Sequence, residues 1–177
     1  MLGAHHVSQA RTRPAGSFSL LTVVRVQGMK TDEIIVEVQN AFSDLPRPAM
    51  FIRGTCKCEE CLEHEDTMQS LTPENMPLEK LENPGWDPIC FASDEAFAYF
   101  MPGLVRLVLE HTDNYVQQFL FHLENSDRIA TFNPKQTQAL LHVLDYLTLE
   151  RSEILDNNLA VDELNRTREK LEHASAT

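Results

Sequence analysis

The chain has 177 residues, of which 27 are Asp or Glu and 15 are Lys or Arg, so its formal net charge is −12. Such an acidic chain is poorly suited to nucleic acid or anionic lipid, because both need Lys and Arg to neutralise phosphates. The charge favours a basic protein partner, or it serves solubility alone. Hydrophobic residues make up 42% of the chain, which suffices for the core of one domain. No apolar run approaches the roughly 18 residues of a membrane-spanning helix, so we expect no membrane span.

The first 28 residues differ in composition from everything that follows. They contain three Arg and neither Asp nor Glu. We interpret residues 1–28 as an N-terminal extension, either because Met29 is the native start or because the segment is a flexible basic arm that lies on the acidic body. No convincing secretion signal is present, so we expect a cytoplasmic protein. Residues 29–155 are then the helical core domain, and residues 156–177 are a C-terminal helix or tail.

The next part of the chain contains a mixture of clear and weak helix signals. Residues 31–43 predict a first helix that Thr31 caps, and the proline-containing segment 45–48 ends it. Residues 59–70 are polar and predict a weak helix or a loop. The run Thr72-Pro73-Glu74 is a typical helix start, since proline is favoured at the first helical position.

The most hydrophobic segment lies in the middle of the chain. Ser93 opens a helix in which residues 97–109 are apolar nearly all round, which predicts a buried central helix. Pro102-Gly103 interrupts this pattern, so we expect a kink or two short helices there. Asp113 is placed to cap a helix over 114–124, and Asn133-Pro134 starts the longest helix.

The fold class that follows is mainly α. We expect a small single domain of five or six helices, with at most a minor β element near residues 20–26 or 50–53. Val161, Leu164 and Leu171 share one helical face near the C-terminus, and this face packs either on the body or on a second copy in a homo-oligomer.

The chemically specific feature is a cluster of three cysteines, Cys56, Cys58 and Cys61, which we call the cysteine knuckle. Thiolates on one tight turn are the ligands that zinc prefers, so the spacing predicts a structural zinc site. The fourth ligand is Cys90 or His64, and Cys90 is slightly favoured because it closes a longer loop. A thiol redox pair is the competing interpretation of the cluster.

Acidic residues surround the knuckle and bear on its chemistry. Glu59, Glu60 and Glu63 are expected to raise the pKa of the thiols, which disfavours a reactive thiolate and favours a bound cation. No catalytic set rises above background in the sequence. We interpret His111, His122 and His142 as structural or exposed histidines, because no paired spacing on a shared helix supports a metal or general-base site.

The run Glu95-Ala96-Phe97-Ala98-Tyr99-Phe100-Met101-Pro102, preceded by Trp86, resembles an uncharacterised bacterial family. That family has a recurrent Glu-Ala-Phe-x-Tyr-x-x-Pro helix after a tryptophan-containing loop, and the resemblance covers about residues 31–150. It implies no activity and no catalytic residues. The motif that carries the resemblance lies outside the cysteine knuckle, which implies that the knuckle is an addition in this member.

Three functional hypotheses follow from the sequence. The leading one is a zinc-stabilised helical module that acts by protein–protein contact and is not an enzyme. The alternative is a metal-dependent enzyme or regulator with an open coordination position at the cysteine cluster. The third is an oligomeric structural protein. The number of protein ligands separates the first two, because four ligands indicate a structural site and three indicate an open one.

Overall fold

The computed structural model describes Val26 and residues 28–81, 83–124 and 127–175, and these ranges form a helical body. Seven α-helices occur within them, which confirms the expectation of a mainly α fold. In chain order they are α1 (Thr31–Phe42), α2 (Glu59–Gln69), α3 (Asp94–Glu110), α4 (Thr112–Glu124), α5 (Pro134–Glu150), α6 (Ser152–Asn157) and α7 (Val161–Ser175).

Helix α3 is the centre of the body, as its apolar sequence predicts. Its N-terminus is capped by Ser93, whose hydroxyl accepts a hydrogen bond from the backbone N–H of Ala96 at 3.1 Å. Most of its side chains, from Ala96 to Leu109, are buried, and the helix packs against both α1 and α4. The expected break into two short helices is wrong, because α3 runs without interruption through Pro102.

Helix α1 lies between α3 and α5 and packs against both. Asn133 caps α5 in a capping box with Gln136, with reciprocal hydrogen bonds of 2.9 and 3.0 Å. The hydroxyls of Thr31 and Tyr146 lie 2.7 Å apart and link the start of α1 to α5. Thr31 is the first residue of α1 and Lys30 is its N-cap, one position before the expected cap.

The C-terminal helix belongs to the same body. Leu164 and Leu171 on α7 are buried, and α7 packs against α4 and α5. The side chain of Arg168 donates to Asp145 of α5 at 2.5 Å, with both side chains nearly inaccessible to solvent. Of the two alternatives for this segment, the structure shows packing on the body: Leu164 and Leu171 are covered by the same chain, and Val161 is partly exposed. Val26 is also buried in this core, so part of the expected N-terminal extension contributes to it.

A single β-bridge joins the segment before the cysteine knuckle to the segment before α3. Ile52 and Ala92 form an isolated antiparallel bridge, which is the minor β element expected near residues 50–53. The backbone N–H groups of Phe51 and Ile52 also donate to the carboxylate of Glu65 on α2, at 2.9 and 2.8 Å. Residues 20–25, the other segment for which a strand was considered, lie outside the described residues.

The local signals around α2 were the least reliable. The polar segment that predicted a weak helix or a loop is the regular helix α2. By contrast, Thr72 and Asn75 exchange two hydrogen bonds in a single turn that does not continue as a helix. Pro77 lies just beyond and disfavours a helical conformation at the residue before it. Across the described ranges, none of the helices combines the length and apolar character that crossing a lipid bilayer requires.

Candidate functional site

The three thiols of the cysteine knuckle converge in space. Their sulfur atoms all lie within 4.8 Å of one another, and the Sγ atoms of Cys56 and Cys58 are 3.3 Å apart. Gly54 adopts a left-handed conformation (φ 69°) in the turn before them, which glycine accepts without steric cost. Cys58 is the N-cap of α2, and Cys61 lies in the first turns of that helix. The knuckle is therefore a turn followed by a helix N-terminus, where the helix dipole favours negative charge.

Hydrogen bonds shift the pKa values of Cys56 and Cys61 in opposite directions. The pKa of Cys56 is lowered, chiefly because the backbone N–H of Cys58 donates to its sulfur, with further donation from the thiols of Cys61 and Cys58. The pKa of Cys61 is raised to about 12, first because its thiol donates to Cys56 and then to Cys58. The expectation that neighbouring acids would raise every thiol pKa is thus wrong for Cys56. Glu60 acts in that direction but is outweighed by the hydrogen bonds.

The two candidates for a fourth ligand lie elsewhere. Neither Cys90 nor His64 belongs to the group formed by the knuckle sulfurs, and Cys90 is instead grouped with Asp87 and His122. The expected four-cysteine set is therefore not assembled. The reason is local: Cys90 lies in a short 3-10 helix, Pro88–Phe91, whose carboxyl-capped turn directs it towards α4.

His64 is held inside the body by aromatic contacts. Its ring is 1% exposed and stacks on Phe91 with centroids 4.1 Å apart, while the Trp86 ring lies at 4.8 Å. Within the described chain, its Nε2 atom has no hydrogen-bond partner. The imidazole therefore acts as a packing ring between α2 and the 84–91 segment and does not belong to the group of knuckle sulfurs.

A second group of polar side chains lies where the 84–91 segment meets α4. Asp87 is buried, and its Oδ1 atom accepts a hydrogen bond from the backbone N–H of Ile89 at 2.8 Å. Its Oδ2 atom is hydrogen-bonded to Nε2 of His122 at 2.6 Å and accepts from the amide of Gln118. Since Gln118 and His122 are four residues apart on one face of α4, both reach the same carboxylate.

Cys90 is the third member of this group, and it is exposed to solvent. Its sulfur lies within 4.8 Å of a ring nitrogen of His122 and of a carboxylate oxygen of Asp87. Two adjoining cavities, of about 340 and 170 Å³, share Cys90, Phe121 and His122 in their walls, and we call them together the Cys90 pocket. Burial and the charge of Asp87 raise the pKa of Cys90, whereas Arg128 and Arg53 act in the opposite direction.

Sequence reasoning did not find this second group. His122 was interpreted as structural, and Asp87 was not singled out. The two residues are separated by 35 positions, and nothing in the spacing of one indicates the other. The only local signals are Asp87-x2-Cys90 in a proline-rich turn and Gln118-x3-His122 on a helix, and both patterns are common in proteins.

Comparison with protein-family models, with curated proteins and with solved structures found no match to this chain. The resemblance of residues 86–102 to a bacterial family stays a prediction. In the structure, Ala96 and Phe97 of that pattern are core residues, whereas Trp86 is 45% exposed and covers one side of the His64 ring.

Proposed function

We propose that the protein is a zinc-binding interaction module whose cysteine knuckle holds Zn²⁺ through three thiolates and leaves a fourth position open at the surface. The observation that carries this proposal is the convergence of three sulfur atoms within 4.8 Å on an exposed turn. A tetrahedral ion with Zn–S bonds of about 2.3 Å needs sulfur atoms roughly 3.8 Å apart, so only small shifts are required.

The protonation pattern of the metal-free knuckle supports a cation. The hydrogen bonds that Cys56 makes with the backbone N–H of Cys58 and with the other two thiols lower its pKa, so it gives up its proton to a metal more readily. A zinc ion in the centre replaces those protons and holds all three sulfurs as thiolates. The first turn of α2 adds Glu59 and Glu60, whose charges also favour a cation nearby.

An open position favours an interaction role over a closed structural site. Among the described residues, the two candidates Cys90 and His64 are engaged elsewhere, which favours a fourth ligand from water or from another molecule. Cys56 and Cys58 are exposed, whereas substrate sites are concave and bury most of their ligand. A basic partner that contributes a histidine or cysteine ligand suits both the open position and the net charge of −12. Four free thiols are best preserved in a reducing compartment, so we place the protein in the cytoplasm.

Metal analysis of the full chain tests the ligand set. Wild type and Cys90→Ser are expected to bind one zinc ion each, whereas Cys56→Ser, Cys58→Ser and Cys61→Ser bind it far more weakly. Cys90→Ser is the matched control, because it removes one thiol outside the knuckle. Equal and negligible zinc in wild type and Cys58→Ser would show that the metal proposal is wrong.

Cobalt substitution tests the open position. Co²⁺ bound to three thiolates gives sulfur-to-metal charge-transfer bands, and its ligand-field bands depend on the fourth ligand. We expect added imidazole to change the ligand-field spectrum of the wild-type complex while the charge-transfer intensity stays that of three thiolates. A spectrum that does not respond, with intensity for four thiolates, would indicate a closed site that includes Cys90.

A further inference from the structure

The Cys90 pocket holds a set of groups that the proposed zinc site does not use. Cys90 is exposed, while His122 and Asp87 beside it are buried. The sulfur lies within 4.8 Å of a His122 ring nitrogen and of an Asp87 carboxylate oxygen. A thiol, an imidazole and a carboxylate thus meet in one concave site, which is the residue combination that activates a cysteine nucleophile.

The hydrogen bonds assign a role to each partner of the thiol. Asp87 already accepts from Ile89, Gln118 and His122, so its oxygens are largely occupied. We assign the proton of their 2.6 Å hydrogen bond to Nε2 of His122, because a carboxylate can only accept. The other ring nitrogen, Nδ1, then has a free lone pair and can take a proton. Asp87 is therefore a positioning residue, and His122 is the base.

The charges around the pocket favour an anion over a metal ion. Arg53 and Arg128 line the smaller cavity together with Cys90 and His122. Arg128 also donates to the carbonyls of Ile89 and Ala92 at 3.2 Å, which fixes its guanidinium beside the 3-10 helix. The carboxylates nearby are Asp87, whose oxygens are occupied by the hydrogen bonds above, and Asp94, whose charge acts on Arg128. The two guanidinium groups that line the smaller cavity oppose a cation there and attract a negatively charged ligand. Glu163 lies in the wall of the larger cavity, away from the two arginines.

We propose that Cys90 is a nucleophilic thiol that His122 deprotonates and that reacts with small electrophiles carrying a carboxylate, attracted by Arg53 and Arg128. In the reaction the thiol proton moves to the imidazole of His122, and the sulfur forms a bond to the electrophilic carbon. The bond from that carbon to its leaving group breaks, and the leaving group departs with the electron pair. No oxidant or reductant is needed.

The cysteine knuckle supplies an internal comparison. Its three thiols lie beside Glu59 and Glu60, so their electrostatic surroundings are opposite in sign to those of Cys90. An anionic electrophile should therefore prefer Cys90, whereas a neutral one of the same size should show no such preference. The proposal does not depend on zinc at the knuckle, since the two groups share no residue.

The test compares iodoacetate with iodoacetamide on the metal-free full chain, with each cysteine followed by mass spectrometry. The ratio of the iodoacetate rate to the iodoacetamide rate at Cys90 should exceed that of free N-acetylcysteine by about threefold or more. At the knuckle cysteines the ratio should fall below the free-thiol value. A ratio at Cys90 equal to or below that of N-acetylcysteine overturns the proposal.

Single-residue variants distinguish the effect of the Arg53 charge from the effect of His122 as the base. Arg53→Gln should move the Cys90 ratio towards the free-thiol value, while Lys57→Gln, an exposed charge change at the knuckle, should leave it unchanged. His122→Asn should slow alkylation of Cys90 by both reagents by roughly tenfold or more. If circular dichroism shows that His122→Asn does not fold, the wild-type ratio and Arg53→Gln decide the question.

Metal binding is the competing use of the same side chains. A variant in which Cys56, Cys58 and Cys61 are all replaced by Ser is titrated with Zn²⁺ while Cys90 alkylation is followed. We expect no protection of Cys90 in this variant. Stoichiometric zinc binding that protects Cys90 from both reagents would make the pocket a cation site and overturn the proposal, whatever the result at the knuckle.

Discussion

The ring of His64 stacks on the ring of Phe91 with their centroids 4.1 Å apart and their planes inclined by 24°. His64 belongs to α2, which carries the cysteine knuckle, and Phe91 is adjacent to Cys90 in the 3-10 helix. Glu65, the next residue of α2, binds the backbone of Phe51 and Ile52 in the same region. These contacts fix α2 on the segment that forms one wall of the Cys90 pocket.

The His64 contact gives the first prediction. His64→Ala should lower the free energy of unfolding by about 2–4 kcal/mol, because it leaves a cavity beside Phe91 and Trp86. His64→Phe keeps an aromatic ring and removes the unpartnered Nε2 atom, so its stability should equal or exceed that of wild type. Urea denaturation measures both variants.

The same pair of variants tests whether His64 is a metal ligand. Zinc stoichiometry in His64→Phe should equal that of wild type, since the ring lies away from the knuckle. Loss of zinc in His64→Phe without loss of stability would assign the fourth position to this histidine.

The second prediction concerns the pH dependence of zinc binding at the knuckle. The pKa of Cys61 is raised to about 12, so this thiol is protonated in the metal-free protein at neutral pH and must lose its proton when zinc binds. The apparent zinc affinity should therefore rise by about tenfold or more per pH unit between about pH 6 and about pH 8, and fall correspondingly on acidification. Competition with a chromophoric chelator at several pH values measures this slope.

A control for this slope is Cys90→Ser, which should give the same pH dependence as wild type. An affinity that is independent of pH would mean that the knuckle thiols are already ionised without metal, contrary to the hydrogen-bonding pattern of Cys56 and Cys61.

The predictability of the fold depended on whether local signals were sufficient. Asn133-Pro134 followed by Gln136 contains a complete helix start within four residues, and α5 begins there. Helix α2 has no comparable apolar pattern, and it is held by His64 and Met68 in the core and by Glu65 on the backbone of the β-bridge. These contacts come from distant parts of the chain, so the sequence of the segment alone gave only a weak helix signal.

The two candidate sites also differ in how far local sequence predicts them. The knuckle sulfurs converge because three cysteines lie within six residues, and that spacing is visible in the sequence. Cys90, the expected fourth ligand, does not lie in the group of knuckle sulfurs, because it is grouped with Asp87 and His122. The contact between Asp87 and His122 is made only when α4 packs against the 84–91 segment. A single sequence contains no local signal for such a contact.

The third prediction concerns the buried ion pair between Arg168 on α7 and Asp145 on α5. Arg168→Met leaves the Asp145 carboxylate buried without this partner and should lower the free energy of unfolding by about 3–5 kcal/mol. The double variant Asp145→Leu/Arg168→Met removes both charges and should lose less stability than Arg168→Met. Urea denaturation of the three proteins forms the comparison.

A neighbouring ion pair on α7 provides the control for this prediction. Arg166 pairs with Glu124 but is 53% exposed, so Arg166→Met should change the stability by no more than about 1 kcal/mol. Equal effects of the Arg166 and Arg168 substitutions would show that the burial of the Arg168–Asp145 pair does not make it more important for stability than an exposed pair.

The fourth prediction concerns Gly103, the residue after the proline inside α3. A Cβ atom placed on Gly103 would lie 2.7 Å from the carbonyl oxygen and 3.0 Å from the Cα atom of Pro73. Backbone atoms cannot move aside as a flexible side chain can, so Gly103→Ala should lower the free energy of unfolding by about 1–3 kcal/mol. Thermal or urea denaturation measures the change.

The sign of this effect makes it informative. In an unhindered helix interior, replacing glycine by alanine stabilises by up to about 1 kcal/mol, which is opposite to the expected result. Gly85→Ala is the matched control, because the nearest atom to its added Cβ is the side-chain oxygen of Asn83 at 3.4 Å. We expect Gly85→Ala to be nearly neutral. A stabilising Gly103→Ala would mean that the turn at Pro73 does not pack closely against α3.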